Sequence, residues 1–157
     1  MKRPLMLLFS FLFCAISVPI YAQSPLADVH LLWKHITVES PYTNWSFWDD
    51  HQGLQKGGGP HAPQHRVYVN TLGITSKKVP ANNGTIIVKE NIDDNNTLIA
   101  LTVMHKVAGY NPAGGDWFWA KYSAAGKIEM AGKIKGCLGC HTSVKENDFI
   151  FLHGFSD

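Results

Sequence analysis

Residues 82–107 read NNGTIIVKENIDDNNTLIALTVMHKV. Asn82-Asn83-Gly84 is a turn signal, and the β-branched run 85–90 that follows reads as a strand. The polar turn 93–96 then leads into a longer strand, 97–107, rich in Leu, Ile and Val. Working outward, Asn111-Pro112-Ala113-Gly114-Gly115 makes the next turn, 116–122 is an aromatic strand, 124–126 turns again and 127–131 continues the meander. Upstream, 66–70 is a short strand and 71–80 a helical turn ended by Pro80. Strands separated by turns, with no long helices between them, indicate an antiparallel sheet. Leu26, Val29, Leu32, Trp33 and Ile36 recur at spacings of three and four, so 26–38 reads as an amphipathic helix. Residues 40–65, rich in Gly, Pro, His and aromatics, read as a long loop or a short helix plus loop placed to cover something. A short helix over 137–147 and an extended segment over 149–152 end the chain. The expected fold class is α+β: a single domain dominated by an antiparallel β-sheet, with an N-terminal helix and a short C-terminal helix.

The 157 residues suffice for one domain with a modest core. Lys2 and Arg3, the apolar stretch 5–16, and Ser17, Pro19 and Ala22 read as a signal peptide over 1–22, too short and wrongly flanked for a membrane span. Cleavage after Ala22 leaves a mature chain, 23–157, of about 135 residues. All twelve Asp and Glu lie in that part, so losing Lys2 and Arg3 takes the formal charge from +2 to 0. No basic patch suggests nucleic acid, and no membrane insertion is expected once the signal is removed. Cys14 leaves with the signal; Phe-Leu-Phe before it lacks the small residue that a lipid-anchor site wants. The two remaining cysteines share one motif, Cys137-Leu138-Gly139-Cys140-His141.

Two thiols separated by two residues can each form a thioether with a vinyl group on one porphyrin edge. The adjacent histidine then lies under the ring, where a neutral imidazole nitrogen binds iron. Its other ring nitrogen is expected to donate to a carbonyl or polar side chain. A zinc ribbon needs a second Cys-x-x-Cys knuckle, and a thioredoxin-like motif needs a βαβ unit. A plain disulfide leaves His141 unexplained. The motif therefore predicts one covalently attached haem c, with Cys137 and Cys140 carrying it and His141 as axial iron ligand. Only sixteen residues follow His141 and none is Met, so the pocket must be built by what precedes the motif. An upstream chain rich in Val, Ile, Thr, Gly and Asn does not suit a four-helix bundle.

Several spaced motifs resemble the cytochrome P-460 family, and within it the β-sheet cytochromes c′ (c′-β). They are Val67-Tyr68-Val69-Asn70, the run 84–91, Leu101-Thr102-Val103-Met104, Gly109-Tyr110-Asn111-Pro112, the run 115–120, the Cys-x-x-Cys-His motif and Asp148-Phe149-Ile150-Phe151. The resemblance covers about His65 to Phe151. It implies a mostly antiparallel β fold, a homodimer and a five-coordinate haem. It also implies one of two activities. The P-460 enzymes oxidise hydroxylamine and carry a lysine crosslinked to haem; the matching lysine here is Lys89. The c′-β proteins bind nitric oxide at an open iron beneath an apolar, aromatic cap, and the Gly-Asp-Trp-Phe-Trp stretch is closer to that side. The enzymes also use a distal carboxylate; Glu90 and Glu129 lie in strands and either can face solvent.

Six histidines, His30, His35, His51, His61, His65 and His105, and Met104 are candidates for a second axial ligand, and for an electron carrier if one of them serves. His61 and His65 flank Pro63 at a spacing that could bind a metal loosely. His105 and Met104 are adjacent on a strand, so only one can face the haem. Trp117 and Trp119 point to one face and Phe118 and Tyr122 to the other. Phe47 and Trp48 are candidates for a distal cap. The Asn-x-Ser/Thr patterns at 44, 83 and 95 read as turn chemistry rather than glycosylation. The expected protein is a periplasmic haem c protein with a five-coordinate iron that binds nitric oxide or a similar small ligand. The alternatives are a hydroxylamine oxidoreductase with Lys89 crosslinked, passing electrons to a partner cytochrome, and a six-coordinate electron carrier.

Overall fold

Six strands follow one another across a single antiparallel sheet in a computed structural model that describes residues 25–155. They are β1 (Gln55–Lys56), β2 (Gln64–Val69), β3 (Ile86–Ile92), β4 (Leu98–Lys106), β5 (Trp117–Ser123) and β6 (Ile128–Gly132). The segment read as a signal peptide, 1–22 with Cys14, lies outside the described residues. The turns are made by the residues that signalled them. Asp93 Oδ1 accepts from the backbone N–H of Asn95 and Thr97, and Asn96 takes a positive φ of 61° between β3 and β4. Gly126 turns β5 into β6 at φ 81°, where a Cβ would lie 2.5 Å from the Trp33 ring. Asn70 Oδ1 accepts from Gly73 N–H and Ile86 N–H, capping α2 (Thr71–Ile74) and tying it to β3.

Alternation along the strands gives the sheet two apolar faces. Ile86, Val88, Leu101, Val103, Phe118, Ala120 and Tyr122 pack on one face against Leu32 and Ile36. Those two come from α1 (Val29–Lys34) and the π-helical turn His35–Glu39 that continues it. Asp28 caps α1, accepting from His30 and Leu31 N–H. Thr37 bonds back to Trp33 O, and Ser40 N–H reaches His35 O, so the last turn of the expected helix widens. Leu32 and Ile36 are fully buried, and truncating either to Ala would cost about 2–5 kcal/mol. The second face carries Val67, Val69, Ile87, Met104, Trp117 and Trp119, covered by the C-terminal segment and Trp48. Trp117 and Trp119 share this face and Phe118 and Tyr122 the other, as their alternation predicts.

Two elements differ from the sequence reading. Residues 40–65 contain a 3-10 turn, Tyr42–Asn44, and the two-residue β1, which pairs with β2 through Gln55 and His65. Two polar residues carry no alternation, so nothing in the pattern marks them. Residues 149–152 are not extended: Asp148 and Phe149 both take left-handed φ values, 52° and 65°, and reverse the chain. The helix expected over 137–147 is α3 (Lys135–His141) followed by a 3-10 stretch, Thr142–Asn147.

His105 is buried on the helix-covered face, its Nδ1 3.3 Å from Leu26 O. Burial lowers its pKa to about 4, and that of the buried His65 likewise. The unfolded chain therefore binds more protons than the fold between about pH 6.5 and 4, and stability falls as pH drops through that window. Urea unfolding at pH 7 and pH 4 should show the loss, up to about 3 kcal/mol per histidine. His105→Leu should make the profile flatter by its share.

Candidate haem site

α3 places Cys137, Cys140 and His141 at i, i+3 and i+4, on one side of the helix. Both cysteines are free thiols. Cys140 is exposed, while Cys137 packs at the edge of the Trp117–Trp119 cluster, and burial raises its pKa. The His141 ring lies edge-on to Trp119, 4.6 Å between centroids, and to Phe151 at 5.0 Å. His141 Nδ1 is 2.7 Å from the Phe149 carbonyl. A carbonyl only accepts, so Nδ1 carries the proton and Nε2 keeps the lone pair with which imidazole binds a metal. Burial lowers the His141 pKa, the Phe149 bond opposes this, and the charge of Lys89 adds to the lowering.

Lys89 stands on the same face, in the row Val67–Lys89–Thr102–Lys121. Burial brings its pKa down to about 8. In the next row Asn91 donates to Ala100 O and Thr102 Oγ1, each at 3.2 Å. His61 lies beside Asn91, within electrostatic reach of Lys89, His141 and Lys121, and its pKa falls to about 4, chiefly by desolvation. His61 nonetheless presents surface to solvent.

Four buried polar atoms belonging to this face have no hydrogen-bond partner: Trp119 Nε1, Trp48 Nε1, Asn91 Oδ1 and His65 Nδ1. Such orphans are rare in native interiors and ask for an explanation. They share the sheet face on which Cys137 and His141 pack, and a large, mostly apolar group with polar edges fits there. The residues present fit haem: Cys137 and Cys140 would carry it and His141 Nε2 would bind its iron.

The other sequence candidates separate. Phe47 is not brought here; its ring packs on Tyr68, 4.8 Å away, at the opposite face. Trp48 is on the site's side, stacked on His153 at 4.4 Å, and Asp50 holds His153 by its carboxylate. His35 pairs with Glu39 on the helix of the opposite face, His105 is buried under that helix, and His30 lies in its first turn. His51 and His65 bond each other, Nε2 to Nε2 at 2.8 Å, so His65 is not paired with His61. Met104 lies in the row with Ile87 and Trp119, on the side where His141 packs. Glu90 does not face solvent: it is 8 % exposed, accepts from Tyr42 OH at 2.9 Å and pairs with Arg66 at 3.1 Å on the far face. Glu129 sits at the β5–β6 irregularity and pairs with Lys121 at 2.8 Å. Sequence reasoning missed Lys121, which the alternation of Trp117 and Trp119 could have supplied, and the Phe149 carbonyl, which no sequence pattern signals.

The sequence matches the family described as Cytochrome P460 over residues 40–152, well over half of the chain. The chain belongs to that family, whose members are haem-binding cytochromes. No curated protein matches it. Among the described residues no helix is long and apolar enough to cross a membrane.

Chain made without the haem-attachment machinery should keep both thiols free and leave the orphaned atoms unsatisfied. At about 1–3 kcal/mol for each such group, its melting temperature should lie about 10 °C or more below that of the haem-loaded protein, by calorimetry.

Proposed function

We propose that this chain is a periplasmic c-type haem protein, closest to the c′-β branch, whose five-coordinate iron binds nitric oxide or a similar small neutral ligand. Haem in this site would supply an iron with one axial position filled by imidazole and the other open to a ligand. The observation that carries the reading is how the carboxylates around the site are used. Glu90 is turned to the other face and bonded to Tyr42 and Arg66. Asp148 is locked by Lys106, Glu129 by Lys121 and Asp50 by His153. Hydroxylamine oxidation needs a group that takes up protons beside the iron, whereas nitric oxide binds without proton transfer. The aromatic and apolar residues on this face, among them Trp48, Trp119 and Met104, also suit a neutral diatomic. Export by residues 1–22 to the compartment where haem is joined to thiols belongs to the same reading. So does a homodimer, which rests on the resemblance alone.

One observation favours the enzyme as a second reading. The Lys89 amine is on the site's face with a pKa of about 8, so more of it is neutral and nucleophilic at pH 7 than of an ordinary lysine. The six-coordinate carrier is supported less: His30, His35 and His105 belong to the opposite face, His51 and His65 bond each other, and Met104 is packed into the core row of Ile87 and Trp119, which leaves His61 as the histidine beside Lys89 and Asn91.

Digestion of the holoprotein and mass spectrometry should find haem on the peptide carrying Cys137, Cys140 and His141 alone. The reduced protein should show a five-coordinate spectrum and bind one nitric oxide per chain. Haem joined also to the Lys89 peptide would replace this reading with hydroxylamine oxidation. A low-spin resting spectrum that His61→Ala converts to high-spin would replace it with electron transfer.

A further inference from the structure

The Phe149 carbonyl reaches His141 only because two consecutive non-glycine residues, Asp148 and Phe149, are held in the left-handed region. L side chains seldom adopt that conformation, and two in succession persist only where surrounding contacts over-determine them. Those contacts converge on Asp148. Lys106 Nζ donates to both its carboxylate oxygens, at 2.6 and 2.7 Å, and to the Gly115 carbonyl at 2.7 Å. Ala81 N–H donates to Asp148 Oδ2 at 2.8 Å, and Trp117 Nε1–H to the Asp148 main-chain carbonyl at 2.8 Å. Lys106 and Asp148 are 7 % and 6 % exposed. Gly115 abuts the turn so closely that a Cβ would lie 2.6 Å from the Phe149 ring. Strands β4 and β5 and the segment before β3 are thus bolted to one turn of the tail.

A buried ion pair is poor evidence for stability, since well-packed apolar residues serve as well or better. What a fully bonded pair supplies is one fixed geometry. Here that geometry ends on the nitrogen opposite the metal-binding lone pair of His141. A hydrogen bond accepted from Nδ1–H makes an imidazole more basic and orients it toward its metal.

We propose that Lys106, Asp148 and Trp117 are positioning residues for the axial histidine: they clamp the 148–149 turn so that the Phe149 carbonyl holds His141 Nδ1–H and makes the imidazole a stronger iron ligand. This rests on the reading of His141 as the haem ligand. It adds a device that tunes the iron from residues that lie outside the Cys-x-x-Cys-His motif.

The test uses haem-loaded Trp117→Phe and Asp148→Asn proteins. Trp117→Phe removes one bond to the turn and keeps an aromatic ring; Asp148→Asn removes the charge and keeps the shape. In both, the iron reduction potential should rise and the iron–histidine stretching band of the reduced protein should move to lower frequency. A purely structural role would lower the melting temperature and leave both readouts in place, which overturns the proposal. Should neither variant fold, the wild type decides it. By NMR, the His141 Nδ1 proton and the Ala81 amide should exchange slowly with solvent, and fast exchange at Nδ1 overturns the clamp. A wild type whose reduced iron is high-spin yet shows no iron–histidine band would sink the haem-ligand reading itself, an outcome distinct from unchanged variants.

Discussion

Side chains along a strand alternate between two faces, and in a meander that follows chain order the alternation runs in register from strand to strand. Once Val88 is committed to the face under α1, Lys89 is committed to the other. The register then lines it up with Thr102 and Lys121. The same rule puts Trp119 beside His141, with Trp117 on the same face, and sends Glu90 and His105 to the other. A one-residue slip in any central strand would exchange the two populations. The polar turns at 93–96 and 124–126 and the bonds of Asn70 hold that register, so the composition of the site is a consequence of how the strands are joined.

The Cys-x-x-Cys-His motif itself spans little more than one turn of helix, too short to be stable alone. Its position comes from what it packs on. Cys137 and Leu138 lie against the aromatic face, Leu138 N–H reaches back to Ile134 O, and the tail folds over to meet the His141 ring. The apolar helix layer on one face and the aromatic layer on the other therefore do different jobs. The first holds a core whose buried polar groups, Glu90 with Tyr42 and Arg66, and His105 beside Leu26 O, have partners of their own. The second leaves polar atoms unpartnered and accepts left-handed backbone, which are features that stability alone would not favour.

How much of this was legible in the sequence follows from the range of each interaction. Turns and strands are local, and Asn82–Gly84, Asp93–Asn96 and the Trp117–Tyr122 alternation announce themselves within a few residues. The Cys-x-x-Cys-His spacing is local too. Phe47 and Trp48 are adjacent in a loop without alternation, and nothing local says which face each will take. Phe47 went to Tyr68 and Trp48 to His153, a partner about a hundred residues on. Glu90 looked like a strand residue free to meet water, because its partners, Tyr42 and Arg66, are 48 and 24 residues away. The turn at 148–149 was the hardest to see. Asp-Phe-Ile-Phe has strand composition, and only Lys106, Ala81 and Trp117, from three separate segments, force it into the left-handed region.

The charges near the site bear on the proposed ligand. Lys89, with a pKa of about 8, is mostly cationic at pH 7, and Lys121 at the rim is partly offset by Glu129. His61, with a pKa of about 4, is neutral there. Among the described residues, a wall that is cationic or neutral, with its carboxylates engaged, holds no strong base that is both free and close. Lys89 would have to lose its proton first, and His61 is too weak a base to hold one near neutrality. Chemistry that releases protons at the iron is therefore poorly served, while a ligand that arrives and leaves without a proton asks nothing of Lys89 or His61. That asymmetry, rather than the aromatic lining alone, is why nitric oxide binding fits these residues better than hydroxylamine oxidation. It would be reversed by a covalent bond at Lys89, which would remove that amine's charge from the wall.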